Sequence, residues 1–134
     1  MSRFLLDTDI LSSLIDDRGQ SPVLRRIAEI GDDHVCTSVI VAAEIRYGVA
    51  KRASAKLAES AERVLGALPI LAFESPAAIV YGDIRSDLER RGMMIGANDL
   101  LIAAQCLSLD LVLVTNNSRE FQRVVGLRLE DWLA

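Results

Sequence analysis

Short runs of apolar residues alternate along this chain with longer stretches in which apolar positions recur at helical spacing. Four runs are bounded by polar or turn residues and have the length of strands buried in a parallel sheet: residues 4–6, 35–37, 68–73 and 111–115. A fifth short strand is predicted over residues 127–129. Pro69 in the third run favours an edge position or a strand start, because proline cannot donate to a neighbouring strand.

Helices are predicted between these strands, and their starts carry capping residues. Ser21 followed by Pro22 opens a helix that ends at Gly31. The remaining caps are assigned to Thr8 or Asp9, Ser38, Asn98 and Ser118. The predicted helices cover residues 10–15, 22–30, 39–52, 53–65, 75–91 and 99–109, and residues 116–121 form a loop or helical turn.

This order of elements predicts an α/β fold, in which a mostly parallel central sheet is flanked by helices and joined by right-handed crossovers. The length of 134 residues and the hydrophobic content of 51% suit one domain, residues 1–134. The first and fourth strands have the clearest patterns. If they are neighbours, Asp7 and the residues after Thr115 emerge at the same edge of the sheet, but the sequence alone leaves that adjacency open.

Three acids stand out from their surroundings. Asp7 ends the first strand, where ligands bind in open α/β sheets. Glu44 shares a helix face with Ile40 and Val41, so we expect this carboxylate on the side that faces the sheet, where burial costs several kcal/mol unless it is paired or metal-bound. Asp99 can be explained by the dipole of its helix, yet its apolar neighbours at helical spacing indicate that it also leans toward the core.

A second group of polar residues comprises Thr115, Asn117, Glu120 and Asp9, which we expect to position water or phosphate, or in the case of Asp9 to cap a helix. Oxygen ligands from distant segments, without cysteine or histidine, suit Mg²⁺ or Mn²⁺ and not zinc. The only histidine, His34, precedes a strand, and nothing around it indicates a serine or cysteine triad.

Charge and composition narrow the classes of protein. A net charge of -4 argues against indiscriminate coating of nucleic acid, although an acidic metal site in a nuclease remains compatible with it. Two isolated cysteines, Cys36 and Cys106, are expected to be reduced core residues. No apolar stretch approaches the roughly 20 residues of a membrane span, and no signal peptide is recognisable, so we expect a cytoplasmic protein.

Four segments together resemble the PIN-domain toxins of the VapC family. They are residues 5–9 (LLDTD), 43–48 (AEIRYG), 95–104 (IGANDLLIAA) and 113–121 (LVTNNSREF), followed by residues 126–132 (GLRLEDW) near the end of the chain. Carried over by motif, Asp7, Glu44 and Asp99 match the family's invariant acids. The fourth acid varies in position among relatives; Asn117 occupies one such place, and Glu120 is the nearest carboxylate.

The resemblance implies a PIN-like α/β/α sandwich, Mg²⁺- or Mn²⁺-dependent endonucleolytic cleavage of RNA, and inhibition by a cognate VapB-type antitoxin. It also implies homodimers or toxin–antitoxin hetero-oligomers that contact promoter DNA only through the antitoxin. Structured RNA such as tRNA is the expected substrate, with Arg18, Arg46 and Arg52 as RNA contacts.

Two other functions remain open at this point. The run ending in Asp7-Thr8-Asp9 also resembles haloacid dehalogenase-like phosphatases, in which the first aspartate is the nucleophile. Those enzymes need a lysine and further acids after the second motif, but the last lysine here is Lys56. The other alternative is a catalytically inactive PIN-like subunit that only binds its partners.

Overall fold

The computed structural model describes residues 1–16 and 20–134, and five parallel strands form its central sheet. The strands are β1 (Phe4–Leu6), β2 (Val35–Ser38), β3 (Ile70–Leu71), β4 (Val112–Val114) and β5 (Leu129–Glu130), in the spatial order β3-β2-β1-β4-β5. β1 and β4 are central neighbours, paired from Phe4 with Val112 to Leu6 with Val114. The predicted parallel sheet is therefore confirmed, and the adjacency that the sequence left open is settled.

Helices flank this sheet, as predicted for an α/β fold. They are α1 (Thr8–Asp16), α2 (Pro22–Ile30), α3 (Val39–Arg52), α4 (Ala55–Gly66), α5 (Ser75–Arg91), α6 (Ala97–Leu109) and α7 (Ser118–Phe121), with a short 3-10 helix over Asp32–His34. α1 contacts α2, α3 and α4, whereas α5 packs against α6. Within the described ranges, no helix combines the length and apolar character needed to cross a bilayer.

Capping residues were predicted at several helix starts, and the structure confirms some of them and not others. The Ser21 hydroxyl accepts the Val23 N–H and the Ser38 hydroxyl accepts the Ile40 N–H, as predicted. The caps assigned to Thr8 or Asp9 and to Asn98 are wrong, because α1 and α6 begin at or before these residues. The carbonyls of Asp7 and Gly96 accept the first helical N–H groups instead.

The start of α7 also differs from its prediction. Asn117, not Ser118, takes the capping position of α7, and it makes no capping bond through its side chain. Its carbonyl accepts the N–H groups of Glu120 and Phe121 instead.

The edge strands are shorter than, or shifted from, their predictions. β3 pairs only with β2, which confirms the edge position, but it is limited to two residues. The Gln105 side-chain amide donates to the carbonyls of Leu71 and Ala72, so that the backbone after β3 bonds to a helix instead of a strand. β5 lies one to two residues later than the predicted 127–129.

The core is aliphatic and centres on β1 and β4. Leu5, Leu6 and Leu113 are fully buried, and the Phe4 ring packs against Trp132 with 5.3 Å between ring centroids. Trp132 thus fills the core beside the last strand. Cys36 and Cys106 are buried free thiols, as expected. The carboxyl ends of β1 and β4 emerge side by side above this core.

Candidate active site

Asp7 lies at the carboxyl end of β1, and the adjacent strand holds it from two sides. Its N–H donates to the Val114 carbonyl (2.9 Å), which extends the pairing of β1 and β4 by one residue. The Thr115 hydroxyl donates to Asp7 Oδ2 (2.7 Å). Asp7 is 5% exposed and Thr115 is fully buried. Two candidates that are 108 positions apart in sequence are therefore in direct contact, and the carboxylate has one defined orientation.

Asp99 and Glu120 form a pair of interacting carboxyl groups. Asp99 occupies the first turn of α6, and the side chains of Asp99 and Glu120 are hydrogen-bonded to each other. Glu120 also accepts the Gly96 N–H at Oε1 and the Asn117 side-chain amide at Oε2, each at 2.7 Å. Two carboxyl groups that share a hydrogen bond share a proton, and a bound cation can take the place of that proton.

Gly96 leaves space beside this pair. A Cβ atom at this position would lie 3.4 Å from Asp99 Oδ2 and 3.7 Å from Glu120 Oε1. Since glycine has no Cβ, the two carboxyl groups meet only backbone here. A Cβ at position 96 would therefore be in van der Waals contact with both acids.

Glu44 departs from its prediction. It is half-buried instead of facing the core, because the buried positions of α3 are Val41, Ala42 and Ile45, and Glu44 lies at the margin of that face. Its carboxylate accepts the Thr8 hydroxyl (2.7 Å) and, more weakly, the Asn98 amide (3.5 Å). Thr8 and Asn98, which the sequence identified only as helix caps, thus orient a candidate site residue.

Burial and mutual repulsion dominate the electrostatics of the site. Burial, followed by the charges of Asp9 and Glu44, raises the pKa of Asp7 to about 6, against the lowering effect of the Thr115 hydrogen bond. Burial, followed by the charges of Glu120, Asp7 and Glu44, raises the pKa of Asp99 to about 7. Asp7, Glu44, Asp99 and Glu120 therefore interact as one acidic cluster, hereafter the acidic edge.

Within the acidic edge, Glu120 behaves differently from Asp7 and Asp99. Burial acts to raise the pKa of Glu120, but the hydrogen bonds from Gly96, Asn117 and Asp99 outweigh it and hold the pKa below its usual value. A carboxylate that accepts several hydrogen bonds stays charged at lower pH. The Asp99 and Glu120 pair is therefore asymmetric, and the shared proton belongs mainly to Asp99.

Asp9 serves the loop that follows β4. Its Oδ2 accepts the Asn116 N–H (2.9 Å), while its Oδ1 is buried and has no hydrogen bond within the described part of the chain. Burial raises the pKa of Asp9, and nearby Asp131 adds to the rise. Asp9 therefore fixes the backbone next to Thr115, and its charge helps to raise the pKa of Asp7.

The donor set at the acidic edge suits a hard divalent cation. The atoms available there as metal ligands are carboxylate oxygens, with hydroxyl and amide groups beside them. Mg²⁺ and Mn²⁺ prefer such oxygen ligands. In residues 1–16 and 20–134, no group of three or more His, Cys, Asp or Glu is arranged to hold a metal ion by itself. Mg²⁺ does not require such a cage, because it keeps several waters and binds through one or two carboxylates.

The three arginines predicted to contact RNA differ in their surroundings. Arg18 lies outside the described residues. Arg46 is engaged in a two-point hydrogen-bonded ion pair with Glu62 (3.0 and 3.1 Å). Arg52 lines a cleft of about 360 Å³ that also includes Thr8 and Glu44. Of Arg46 and Arg52, only Arg52 opens onto the candidate site.

Comparisons with known proteins agree on one family. The family model described as PIN domain matches residues 4–127. Ribonuclease VapC2 of Haemophilus influenzae is 37% identical over 134 residues, covering 99% of this chain and all of the relative. The tRNA(fMet)-specific endonuclease VapC of Salmonella typhimurium is 35% identical, covering 98% and 99%. The solved structure of DNA-bound VapBC from Salmonella typhimurium superposes with a TM-score of 0.88 at 35% identity, covering 98% and 99%.

Proposed function

This chain belongs to the PIN-domain family, and from that premise we propose that it is the endoribonuclease toxin of a VapBC-type toxin–antitoxin system. The observation that carries the proposal is the acidic edge, where four carboxylates from distant segments interact above the ends of β1 and β4. The relatives that match over their full length are ribonucleases, which does not favour the phosphatase reading. The intact set of acids likewise speaks against an inactive binding subunit.

We propose that Mg²⁺ or Mn²⁺ is the cofactor, with Asp7 and Asp99 as its primary ligands and Glu44 and Glu120 completing the site directly or through water. Such a cation would supply charge stabilisation for the phosphodiester and acidify a water molecule. The raised pKa values of Asp7 and Asp99 support this assignment, because crowded carboxylates gain most from a cation.

The remaining residues act by holding the acids in place. Thr115 fixes the orientation of Asp7, and its hydroxyl also accepts the Asn117 N–H (3.0 Å). The Asn117 amide in turn holds Glu120. Thr8 holds Glu44, which is half-buried and lines the cleft. Thr115 and Asn117 are therefore proposed as positioning residues that act through the carboxylates.

The proposed substrate is structured RNA of the tRNA class, since one relative is a tRNA(fMet)-specific endonuclease. The proposed partner is a VapB-type antitoxin, and the structural relative is a VapBC complex bound to DNA. We expect a homodimer or a toxin–antitoxin hetero-oligomer, with promoter DNA bound through the antitoxin. RNA as substrate and buried reduced cysteines both favour the cytoplasm as the place of action.

Cleavage of an end-labelled initiator-tRNA transcript tests the function and its cofactor together. We expect cleavage with Mg²⁺ or Mn²⁺, none with EDTA, and a loss of at least about 100-fold for Asp99→Asn. Cleavage that persists in EDTA would contradict the cofactor. A covalent phosphoaspartate trapped on Asp7, with intact RNA, would support the phosphatase instead. Intact RNA together with a lack of Mn²⁺ binding would support the inactive subunit.

A further inference from the structure

A cleft of about 360 Å³ begins at the acidic edge and runs between α1, α3 and α4. At one end it is lined by Thr8 and Glu44, and at the other by Arg52. Its volume lies within the range of small-molecule binding sites. The cleft is therefore large enough for part of a nucleotide and is continuous with the residues proposed to cleave RNA.

Spacing along α3 explains the shape of this cleft. Glu44, Gly48 and Arg52 are separated by four residues each, so they follow one face of the helix over about 12 Å. A Cβ atom at Gly48 would meet no other atom within 4 Å, so packing does not require glycine there. What the missing side chain does provide is open space midway between the acid and the arginine.

Arg52 has the properties of a phosphate contact. It is exposed, it lines the cleft, and it has no ion-pair partner among the residues that the structure describes. Arg46, one turn and a half earlier on the same helix, is neutralised by Glu62. A free guanidinium offers planar, two-point hydrogen bonding to phosphate oxygens, which suits a nucleic-acid backbone.

We propose that this cleft binds the nucleotide next to the scissile phosphate, with Arg52 contacting the flanking phosphate of the RNA chain. The inference rests on the proposed ribonuclease function and adds a substrate subsite to it. The apolar side chains of Ile45 and Val49 form part of the lining, against which a base or sugar can pack. Asp16 lies at the same cleft and opposes phosphate binding, so the subsite depends on Arg52 for its attraction.

The test compares Arg52→Gln with Lys51→Gln in cleavage of the initiator-tRNA transcript. Lys51 is the matched control, because it lies on the same helix, is exposed, carries the same charge and does not line the cleft. For Arg52→Gln we expect KM to rise about 10-fold with kcat within about 2-fold of wild type. We also expect the slope of log KM against log salt concentration to fall by about 0.7, the value for one lost phosphate contact. Lys51→Gln should change KM by less than about 3-fold.

A second variant tests the cleft without changing a charge. Leucine is a better helix former than glycine, so Gly48→Leu should fold while filling the middle of the cleft. We expect a higher KM with an unchanged salt slope. A thermal melt at or above that of wild type would show that the variant is folded.

Three results would overturn the inference. Equal effects of Arg52→Gln and Lys51→Gln on KM and on its salt slope would show that Arg52 contributes only general charge. A normal KM for Gly48→Leu would show that RNA does not enter the cleft. If Arg52→Gln keeps its KM but loses inhibition by the cognate antitoxin, the cleft belongs to the protein partner. Failure of the wild-type chain to cleave RNA would instead overturn the proposed function, and the subsite with it.

Discussion

Acidic side chains have pKa values shifted in opposite directions at two places on this molecule. On the exposed faces of α4 and α5, the hydrogen bonds from Arg46 and Arg91 hold the pKa values of Glu62 and Asp87 below their usual range. At the acidic edge, burial and neighbouring carboxylates raise the pKa values of Asp7 and Asp99. The two exposed acids are thus paired with arginines, whereas Asp7 and Asp99 lie beside other carboxylates. At the acidic edge, the charge of Arg123 acts on Glu120, whose pKa is lowered. This contrast supports the proposal that the acidic edge binds a cation.

The largest effect on stability is expected from removing a charge at the acidic edge. Without divalent cations, Asp7→Asn should raise the free energy of unfolding by on the order of 2 kcal/mol at pH 7, because the buried, repelled carboxylate disappears. The asparagine oxygen can still accept the Thr115 hydroxyl. Urea unfolding in EDTA measures this change. Asp87→Asn, which loses an arginine partner, is the control and should not gain stability; a gain equal to that of Asp7→Asn would remove the contrast.

The raised pKa values of Asp7 and Asp99 should also determine how the free energy of unfolding depends on pH. A carboxyl whose pKa is raised by folding binds its proton where the unfolded chain has lost it. The free energy of unfolding in EDTA should therefore increase as pH falls from about 7 toward 4, through the pKa values of Asp99 and Asp7. Thermal melts across this range check the sign. The slope should be shallower in Asp7→Asn, and a wild-type stability that falls from pH 7 to pH 6 would argue against raised pKa values.

A smaller effect is expected from a substitution that removes a hydrogen bond to Asp7 but keeps the four acids of the acidic edge. Thr115→Val removes the hydroxyl that orients Asp7 and that accepts the Asn117 N–H. Because this hydrogen bond lowers the pKa of Asp7, its loss should raise that pKa further. We expect about 10-fold lower kcat and a rate profile shifted to higher pH. Thr115→Ser, which keeps a hydroxyl, should restore most of the rate; failure of this rescue would mean that Thr115 acts through packing alone.

The smallest effect on stability and cleavage is expected from breaking an ion pair on the exposed surface. Glu62→Gln breaks the ion pair with Arg46, and ion pairs that are fully exposed to solvent contribute little to stability. We expect the midpoint of urea unfolding to move little and tRNA cleavage to be unchanged. A strong loss of cleavage in Glu62→Gln would mean that the paired arginine is part of the substrate surface after all.

Patterns among residues close in sequence, such as capping serines and apolar runs, predicted the helices and strands whose positions depend on local contacts. The bounds of α2 and α3 came out as predicted, because each begins at a serine whose side chain caps it. The apolar runs of β1 and β4 predicted Asp7 at a strand end. The resemblance of four segments to the PIN domain supplied the family, which the comparisons show.

Long-range contacts explain what the sequence did not predict. Thr8 and Asn98 were interpreted as caps, because their actual partner, Glu44, is 36 and 54 positions away. The burial of Glu44 was overestimated, since helical spacing alone does not say which of several apolar positions faces the sheet. Adjacent polar residues at a helix start, such as Asn98 beside Asp99, are the signal that could have indicated a site-facing amide.

Calorimetric titration with Mn²⁺ tests the central claim most directly, because it asks whether the acidic edge is a cation site without relying on any RNA. The account predicts binding by the wild-type chain and by Asp87→Asn, and loss of binding by Asp99→Asn. Absence of binding by the wild-type chain, or equal binding by Asp99→Asn, would contradict it.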